Sequence, residues 1–325
     1  MDPVPGGDSA LLDPALICAV DLGGTFTKMA LVDAAGGVLA EDRVPTYLSA
    51  REVGDDGSGS RDWLAAEMAR FVDASLPALP GRAVTGFGVV VPGIVDRGVV
   101  VAAANIGWYG MPLAAGLSER LGLPGGVDHD VRASGRAEWQ LGAGRGVQNL
   151  MFVPLGTGIA AALVVDGRLL RADGYAGELG HIPVPSAGDT RCACGATGCL
   201  EIVASAAGVE RTFARLTGRT MTTPADKVAG LARSGAPAAV KAFTLAGTAL
   251  SEALLTALTL LGPEVIVIGG GLSGAADLIL PTVEDYLTAH LAFQRRPRLA
   301  VAEFGSRAGV VGAALVGREL IAAAR

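Results

Sequence analysis

The chain has 325 residues, enough to bury a large core and make two domains. Half of them are hydrophobic, only 18% are charged and 47 are glycine, the profile of a tightly turned α/β protein. The net charge of −6, with no basic run, leaves no footprint for a nucleic-acid backbone. It does not exclude a nucleotide, because backbone amides and Mg²⁺ also hold polyphosphate.

Met1 to Asp13 is acidic and rich in Pro and Gly, with neither the basic nor the apolar region of a signal peptide, and reads as a disordered lead-in. Pro14–Val20 is a buried-strand pattern. Asp21-Leu22-Gly23-Gly24-Thr25 turns it back, Phe26–Asp33 is a second strand, and Ala34–Gly37 turns into a third near Val38–Arg43. Ser49–Ser60 is polar and glycine-rich, a loop. A helical pattern at Asp62–Ala74 and a strand at Val84–Val91 follow, the latter ending in Pro92-Gly93. Then come a loop with Asn105-Ile106-Gly107-Trp108, a helix near Leu113–Leu121, and a short strand ending at Asp128-His129-Asp130 before a helix starting near Arg132.

The first arrangement then returns. Leu150–Pro154 is apolar, Leu155-Gly156-Thr157-Gly158 turns, Ile159–Asp166 is the next strand and Gly167 opens another turn. Aligning Asp21–Asp33 with Pro154–Asp166 pairs Leu22 with Leu155, Gly23 with Gly156, Val32 with Val165 and Asp33 with Asp166, so an internal duplication is expected. Helices are expected across Ala204–Thr217, Pro224–Ser234 and Ala236–Leu261, a strand at Val265–Ile268 ending in Gly269-Gly270-Gly271, and a last helix at Ala308–Ala324 that is apolar and small on one face. The apolar stretch Leu245–Leu261 carries Ser251, Glu252 and several threonines and reads as a buried core helix rather than a membrane span. A cytoplasmic protein is expected.

Three of the four cysteines fall in Cys192-Ala193-Cys194-Gly195-Ala196-Thr197-Gly198-Cys199, and His181 stands upstream. Three thiolates and one imidazole complete a tetrahedral zinc shell better than they make disulfides, which would leave an odd thiol. Glu178 and Glu201 flank this cluster, so the metal would stiffen a loop bearing two carboxylates. Cys18 lies in an apolar run and reads as a small core residue. The three glycine turns after strands suit phosphate, since glycine lets backbone amides approach closely and threonine adds a hydroxyl. None matches a Walker or dinucleotide fingerprint. Asp21 is placed either to hold Mg²⁺ through water or to bond within its turn. Asp130 is placed either as a base for an alcohol or as the cap of the following helix.

Together these residues resemble the ROK family of bacterial sugar kinases and sugar-responsive repressors. The likeness runs from Asp21 to the C-terminal helix. It is most specific in Glu178-Leu179-Gly180-His181 and in Cys192 through Glu201. The resemblance implies an actin-like ATPase (ribonuclease H-like) α/β fold: two domains with a duplicated meander and a nucleotide and sugar cleft between them. The division expected is 14–133 as the smaller domain, 134–307 as the larger one with the zinc loop, and 308–325 as a helix packing back on the first.

It also implies Asp130 as the general base, and Gly93, Asn105, His129, Asp130, Glu178, His181 and Glu201 around the sugar. ATP would be taken by Asp21, Gly23, Gly24, Thr25, Gly156, Thr157, Gly158, Gly270 and Gly271, with Mg²⁺, and structural Zn²⁺ by His181, Cys192, Cys194 and Cys199. His181 would serve zinc with one ring nitrogen and sugar with the other. A homodimer or homotetramer is implied, with no nucleic-acid or membrane partner.

Two positions depart from the family pattern. His129 stands where Asn usually precedes the base, which leaves the sugar open. Phe26 stands where many members have Lys after the first turn; Lys28 lies on the same strand face and is not assigned to ATP. The activity expected is transfer of the γ-phosphate of ATP to the primary hydroxyl of glucose or a close hexose, with N-acetylglucosamine, N-acetylmannosamine and cyclitol kinases as alternatives. Only twenty residues precede Asp21, too few for the DNA-binding domain of a repressor, and a non-catalytic sugar sensor fits less well with Asp130 and three glycine turns present.

Overall fold

The computed structural model describes residues 14–47 and 58–323. The expected lead-in 1–13 and most of the expected loop at 49–60 lie outside the described residues. Contact density divides the chain into two units. One holds the residues up to Gly93, Arg97–Asp128 and those from Ala313 on; the other holds Ile94–Asp96 and His129–Gly312.

The first unit opens with the expected meander: β1 (Ala15–Leu22), β2 (Phe26–Val32) and β3 (Val38–Pro45), antiparallel throughout. Helix α1 (Ser58–Ser75) leads to β4 (Ala83–Val91), which pairs parallel with β1. Past β5 (Ile94–Asp96), which belongs to the second unit, β6 (Val99–Ala103) and β7 (Trp108–Met111) make an antiparallel hairpin that the sequence pattern did not announce. Then follow α2 (Leu113–Leu121), as expected, and β8 (Gly125–His129). The sheet order is β3-β2-β1-β4-β8. β8 starts with two glycines because a Cβ on Gly125 would strike the Phe87 ring at 2.4 Å and one on Gly126 would strike Leu320 at 2.1 Å.

The second unit begins with α3 (Asp130–Gln140), which packs on β9 (Leu150–Pro154) and β10 (Ala162–Val165); this packing draws the boundary to His129 rather than to Ala133. With β11 (Arg168–Leu169), β12 (Val265–Gly269) and β13 (Arg298–Val301) the sheet order is β11-β10-β9-β12-β13, with β9–β10–β11 antiparallel and β9–β12–β13 parallel. The expected duplication is therefore present as topology: each sheet is an antiparallel meander whose first strand pairs parallel with a later one, β1 with β4 and β9 with β12.

The strand expected over Ile159–Asp166 shrinks to β10. Residues 159–161 turn their hydrogen bonds elsewhere, Ile159 N to the Glu201 carboxylate at 2.9 Å and Ala161 N to Gly177 O at 2.6 Å.

Helices cover this second sheet. The helix expected over Ala204–Thr217 is two, α4 (Glu201–Ala204) and α5 (Ala206–Thr217), broken at Ser205, whose hydroxyl accepts from Gly208 N and caps α5. Next come α6 (Ala225–Arg233), α7 (Pro237–Leu261) and α8 (Ala276–His290), and the last helix is α9 (Ala308–Ala323). α7 is long and apolar enough to cross a membrane, yet its Phe243, Leu250 and Leu254 lie in the core with Ile266, Ile279 and Val283. In the first unit the small face of α9 meets backbone: a Cβ on Gly317 would lie 2.5 Å from Phe87 O.

Candidate functional site

β8 delivers the chain to the start of α3. The cap position there is His129, extended at φ −71° and ψ 136°, and Asp130 is the first helical residue. Asp130 is thus not the helix cap that its place in the sequence also allowed. Its Oδ1 accepts from Val131 N at 2.7 Å and lies 3.0 Å from His129 Nε2. Among the described residues no other residue donates to Oδ2. Side-chain exposure is 35%, so the carboxylate is recessed but reachable. Burial pushes its pKa up to about 6, against the pull of the Val131 and Asp130 N–H groups and of Arg132; Glu178 adds to the rise. Arg132 itself is buried and donates to Val95 O at 2.8 Å.

The cysteine loop is a small hairpin. Arg191 pairs with Thr197, Cys192 N donates to Ala196 O at 2.7 Å, and Gly195 makes the reversal at φ 95°. A second bridge, Pro183 to Cys199, brings the end of the hairpin back to His181. The donor atoms of His181, Cys192, Cys194 and Cys199 all lie within 4.8 Å of one another. Cys194 Sγ to Cys199 Sγ is 3.7 Å, and Cys192 Sγ to His181 Nδ1 is 4.0 Å. A zinc tetrahedron with Zn–S bonds of about 2.3 Å has edges of about 3.8 Å, so this donor set fits Zn²⁺. Cys18, by contrast, is fully buried, and burial pushes its thiol up to about 12, which leaves it inert.

His181 presents its two nitrogens to different neighbours. Nδ1 faces the thiols, while Nε2 lies 3.9 Å from Glu178 Oε2. Glu201, first in α4, is fixed by Ile159 N, and its carboxylate lies against Gly158, where a Cβ would meet Oε2 at 2.8 Å.

The second and third glycine turns adjoin. Leu155 N donates to Gly269 O at 2.9 Å, and Leu272 N donates to Leu155 O at 2.9 Å. Gly270 stands at φ 76° with Leu155 O only 2.4 Å from any added Cβ. A cavity of about 390 Å³ opens here, lined by Gly156, Thr157, Gly271, the first turns of α5 and α6, and Arg233. Arg233 is held by Asp277 at 2.6 Å and Gly274 O at 2.7 Å. Neither Arg233 nor Asp226 of the same cavity was singled out from sequence, for each comes to the turns only through the packing of α6, which no local motif signals.

The remaining expected residues belong to the first unit. Gly23 N donates to Phe26 O at 3.1 Å and Thr46 Oγ1 to Gly23 O at 2.7 Å, which closes the first turn. A Cβ on Gly24 would lie 3.9 Å from Ile106, and Thr25 is exposed. Asp21 lies 3.4 Å from Lys28, its cross-strand partner. Asn105 is exposed, held out by the buried Ile106 and Trp108 beside it. Gly93 has φ 99° and no room for a Cβ, with Ala102 O at 2.3 Å. Phe26 is half exposed and carries the Arg43 guanidinium 3.7 Å above its ring.

A family model described as "ROK family" matches residues 17–319. The chain is 33% identical to the glucokinase of Halalkalibacterium halodurans over 90% of this chain and 92% of that protein. It is likewise 33% identical to the N-acetylgalactosamine kinase of Shewanella sp. (strain ANA-3), over 72% of this chain and 78% of that one. Among solved structures it is similar to a ROK family glucokinase from Streptomyces griseus in complex with glucose and AMPPNP, with a TM-score of 0.78 and 29% identity over 94% of this chain and 99% of that one.

Proposed function

This chain belongs to the ROK family, has the actin-like ATPase fold and is an ATP-dependent sugar kinase, and from that premise we propose that it phosphorylates the primary (6-) hydroxyl of glucose or a closely related hexose with Asp130 as general base. The observation that carries the proposal is the Asp130 carboxylate: one oxygen is anchored by the Val131 N–H, the other accepts no bond among the described residues, and its pKa of about 6 suits a base working near neutrality. Asp130 takes the proton from the sugar hydroxyl as that oxygen bonds to the γ-phosphorus and the bond to ADP breaks. Such a loose phosphoryl transfer depends mainly on positioning and charge neutralisation.

Around the sugar we place Gly93, Asn105, Glu178, His181 and Glu201, with His129 joining the set through Asp130. The nucleotide goes to the 390 Å³ cavity, its phosphates to the Gly156–Gly158 and Gly270-Gly271 turns and to Gly23, Gly24 and Thr25. Mg²⁺ would supply charge neutralisation on the polyphosphate, with Asp21 the carboxylate placed to hold it. Zn²⁺ would be held by His181, Cys192, Cys194 and Cys199 and would fix the His181 ring so that Nε2 stays available beside Glu178. Elemental analysis of protein prepared without chelator should give about one zinc per chain, as one four-ligand shell requires; none at all would remove zinc from this account.

The deciding experiment is ADP release across glucose, mannose, fructose, N-acetylglucosamine, N-acetylmannosamine, N-acetylgalactosamine and a cyclitol panel. The highest kcat/KM is expected for glucose. A preference for an acetamido sugar would move the protein to the amino-sugar kinases, and no turnover with any of them would sink the hexose reading.

A further inference from the structure

We infer that Arg233 recognises the base of the nucleotide: its guanidinium, clamped in its own plane by Asp277 and Gly274, offers its flat face to the cavity and stacks on a purine. The inference rests on the nucleotide occupying the 390 Å³ cavity.

Arg233 ends α6, and its side chain crosses to the start of α8. Nε donates to Asp277 Oδ2 at 2.9 Å, and Nη2 donates to Asp277 Oδ1 at 2.6 Å and to Gly274 O at 2.7 Å. A guanidinium carries its N–H donors in one plane, on three nitrogens. Both donors of Nη2 and the donor of Nε are engaged here, so only Nη1 is left. A forked grip on phosphate needs donors on two nitrogens. The positive charge is also met already, for the hydrogen bond from Arg233 holds the Asp277 carboxyl below its usual range. What remains for a ligand is the face of the plane, the surface on which guanidinium groups stack against rings.

The rest of the wall agrees. Ala225, Ala229 and Arg233 recur at intervals of four on α6, so two methyl groups and the guanidinium share one stripe. Leu272 and Ala275 add apolar surface. None of the described lining residues is aromatic, which leaves the guanidinium as the flat π surface of the cavity. Asp226, also in the lining, repels phosphate but can accept from an exocyclic amine or a ribose hydroxyl. The phosphates therefore go to the amides of Gly156 and Gly271 and the hydroxyl of Thr157, and the base goes to Arg233. The fused rings of a purine cover more of that face than the single ring of a pyrimidine, so the site favours ATP over CTP.

The test measures KM for ATP and CTP in Arg233→Ala and Arg233→Lys, together with inhibition by inorganic tripolyphosphate, which has phosphates and no base. Lysine keeps the charge beside Asp277 but has no plane. For both variants the KM for ATP should rise about tenfold, with kcat and the sugar KM within about twofold of the parent's. The preference for ATP over CTP in kcat/KM should shrink about fivefold. The Ki of tripolyphosphate should stay within about twofold of the parent's, which also shows that each variant is folded. If Arg233→Ala does not fold, Arg233→Lys carries the test.

A lysine variant with the parent's KM for ATP overturns the inference, since charge alone would then suffice. So does a loss of tripolyphosphate inhibition in step with ATP, which would mark a phosphate contact, or an unchanged preference for ATP over CTP. Gly271→Leu run beside them separates the two claims. A Cβ added at Gly271 meets nothing within 4 Å, so the leucine projects into the cavity without striking the protein. If Gly271→Leu blocks the use of ATP while Arg233→Ala leaves it intact, the nucleotide site stands and the stacking role falls. If neither variant affects ATP, the placing of the nucleotide in this cavity is itself lost.

Discussion

The two five-stranded sheets share one topology and differ in what their strand ends carry. β3-β2-β1-β4-β8 and β11-β10-β9-β12-β13 correspond strand for strand in order, meander first and then a strand parallel to β1 or β9. At the ends of equivalent strands the glycines repeat but the ionisable groups do not. β4 and β12 both run into a glycine of positive φ pressed against backbone, Gly93 and Gly270. Yet β1 carries Asp21 where the aligned residue of β9 is Pro154, and β8 alone leads into a helix headed by a carboxylate, Asp130. Close approach of backbone is what the framework duplicates. Charge was placed once, in connections that each copy is free to vary.

The largest expected effect falls on the unpaired feature. Asp130→Asn should cost about a thousandfold or more in kcat, measured by ADP release, with no loss of thermal stability. The absence of a stability cost follows from the sign of the shift. The folded pKa of about 6 exceeds the ordinary value of 3.8, so the ionised carboxylate works against folding above pH 4, and the amide removes that penalty. Normal turnover would leave the sheets chemically alike.

The repeated feature should respond symmetrically. Gly93→Ala and Gly270→Ala each force a Cβ to within 2.4 Å of a carbonyl oxygen at a positive φ, and each should cost about 3 kcal/mol in denaturant unfolding. A large cost at one and none at the other would mean the two strand ends are not equivalent. The smallest effect is graded: as pH falls below about 6, Asp130 gains its proton and kcat/KM should fall about tenfold per unit, while above it the profile is flat until another group titrates. An acid limb near 4 would point to a fully hydrated carboxylate.

Much of this arrangement was legible in the sequence, and its gaps have physical causes. β1, β2, β4, β9, α2 and α7 matched their expected spans within a residue or two, because strand alternation and helical periodicity survive where an element packs on one face. β10 came out short since Glu201 and Gly177, distant in sequence, claim the amides of Ile159 and Ala161. α8 was passed over: Pro281 interrupts its pattern, although Ile279, Val283 and Leu287 at intervals of four form its buried stripe. The cluster of His181 with three cysteines could be read from cysteine spacing, whereas the cavity's Arg233 could not, and neither could the contact of His129 with Asp130. Adjacent residues in an extended strand point apart, so only the strand-to-helix corner brings those two side chains together.

α7 also carries a consequence for how the protein is made. Its apolar face packs against α4, α5 and α6, which precede it, and most extensively against α8, which follows. During synthesis from the N-terminus, a helix apolar enough to satisfy the criteria for a membrane span leaves the ribosome before its later covers exist. Until residues up to His290 have emerged, that surface is open to chaperones and to aggregation. Expression at lower temperature, or with raised chaperone levels, should therefore increase the yield of folded enzyme, and chains truncated within α8 should be the most prone to precipitate.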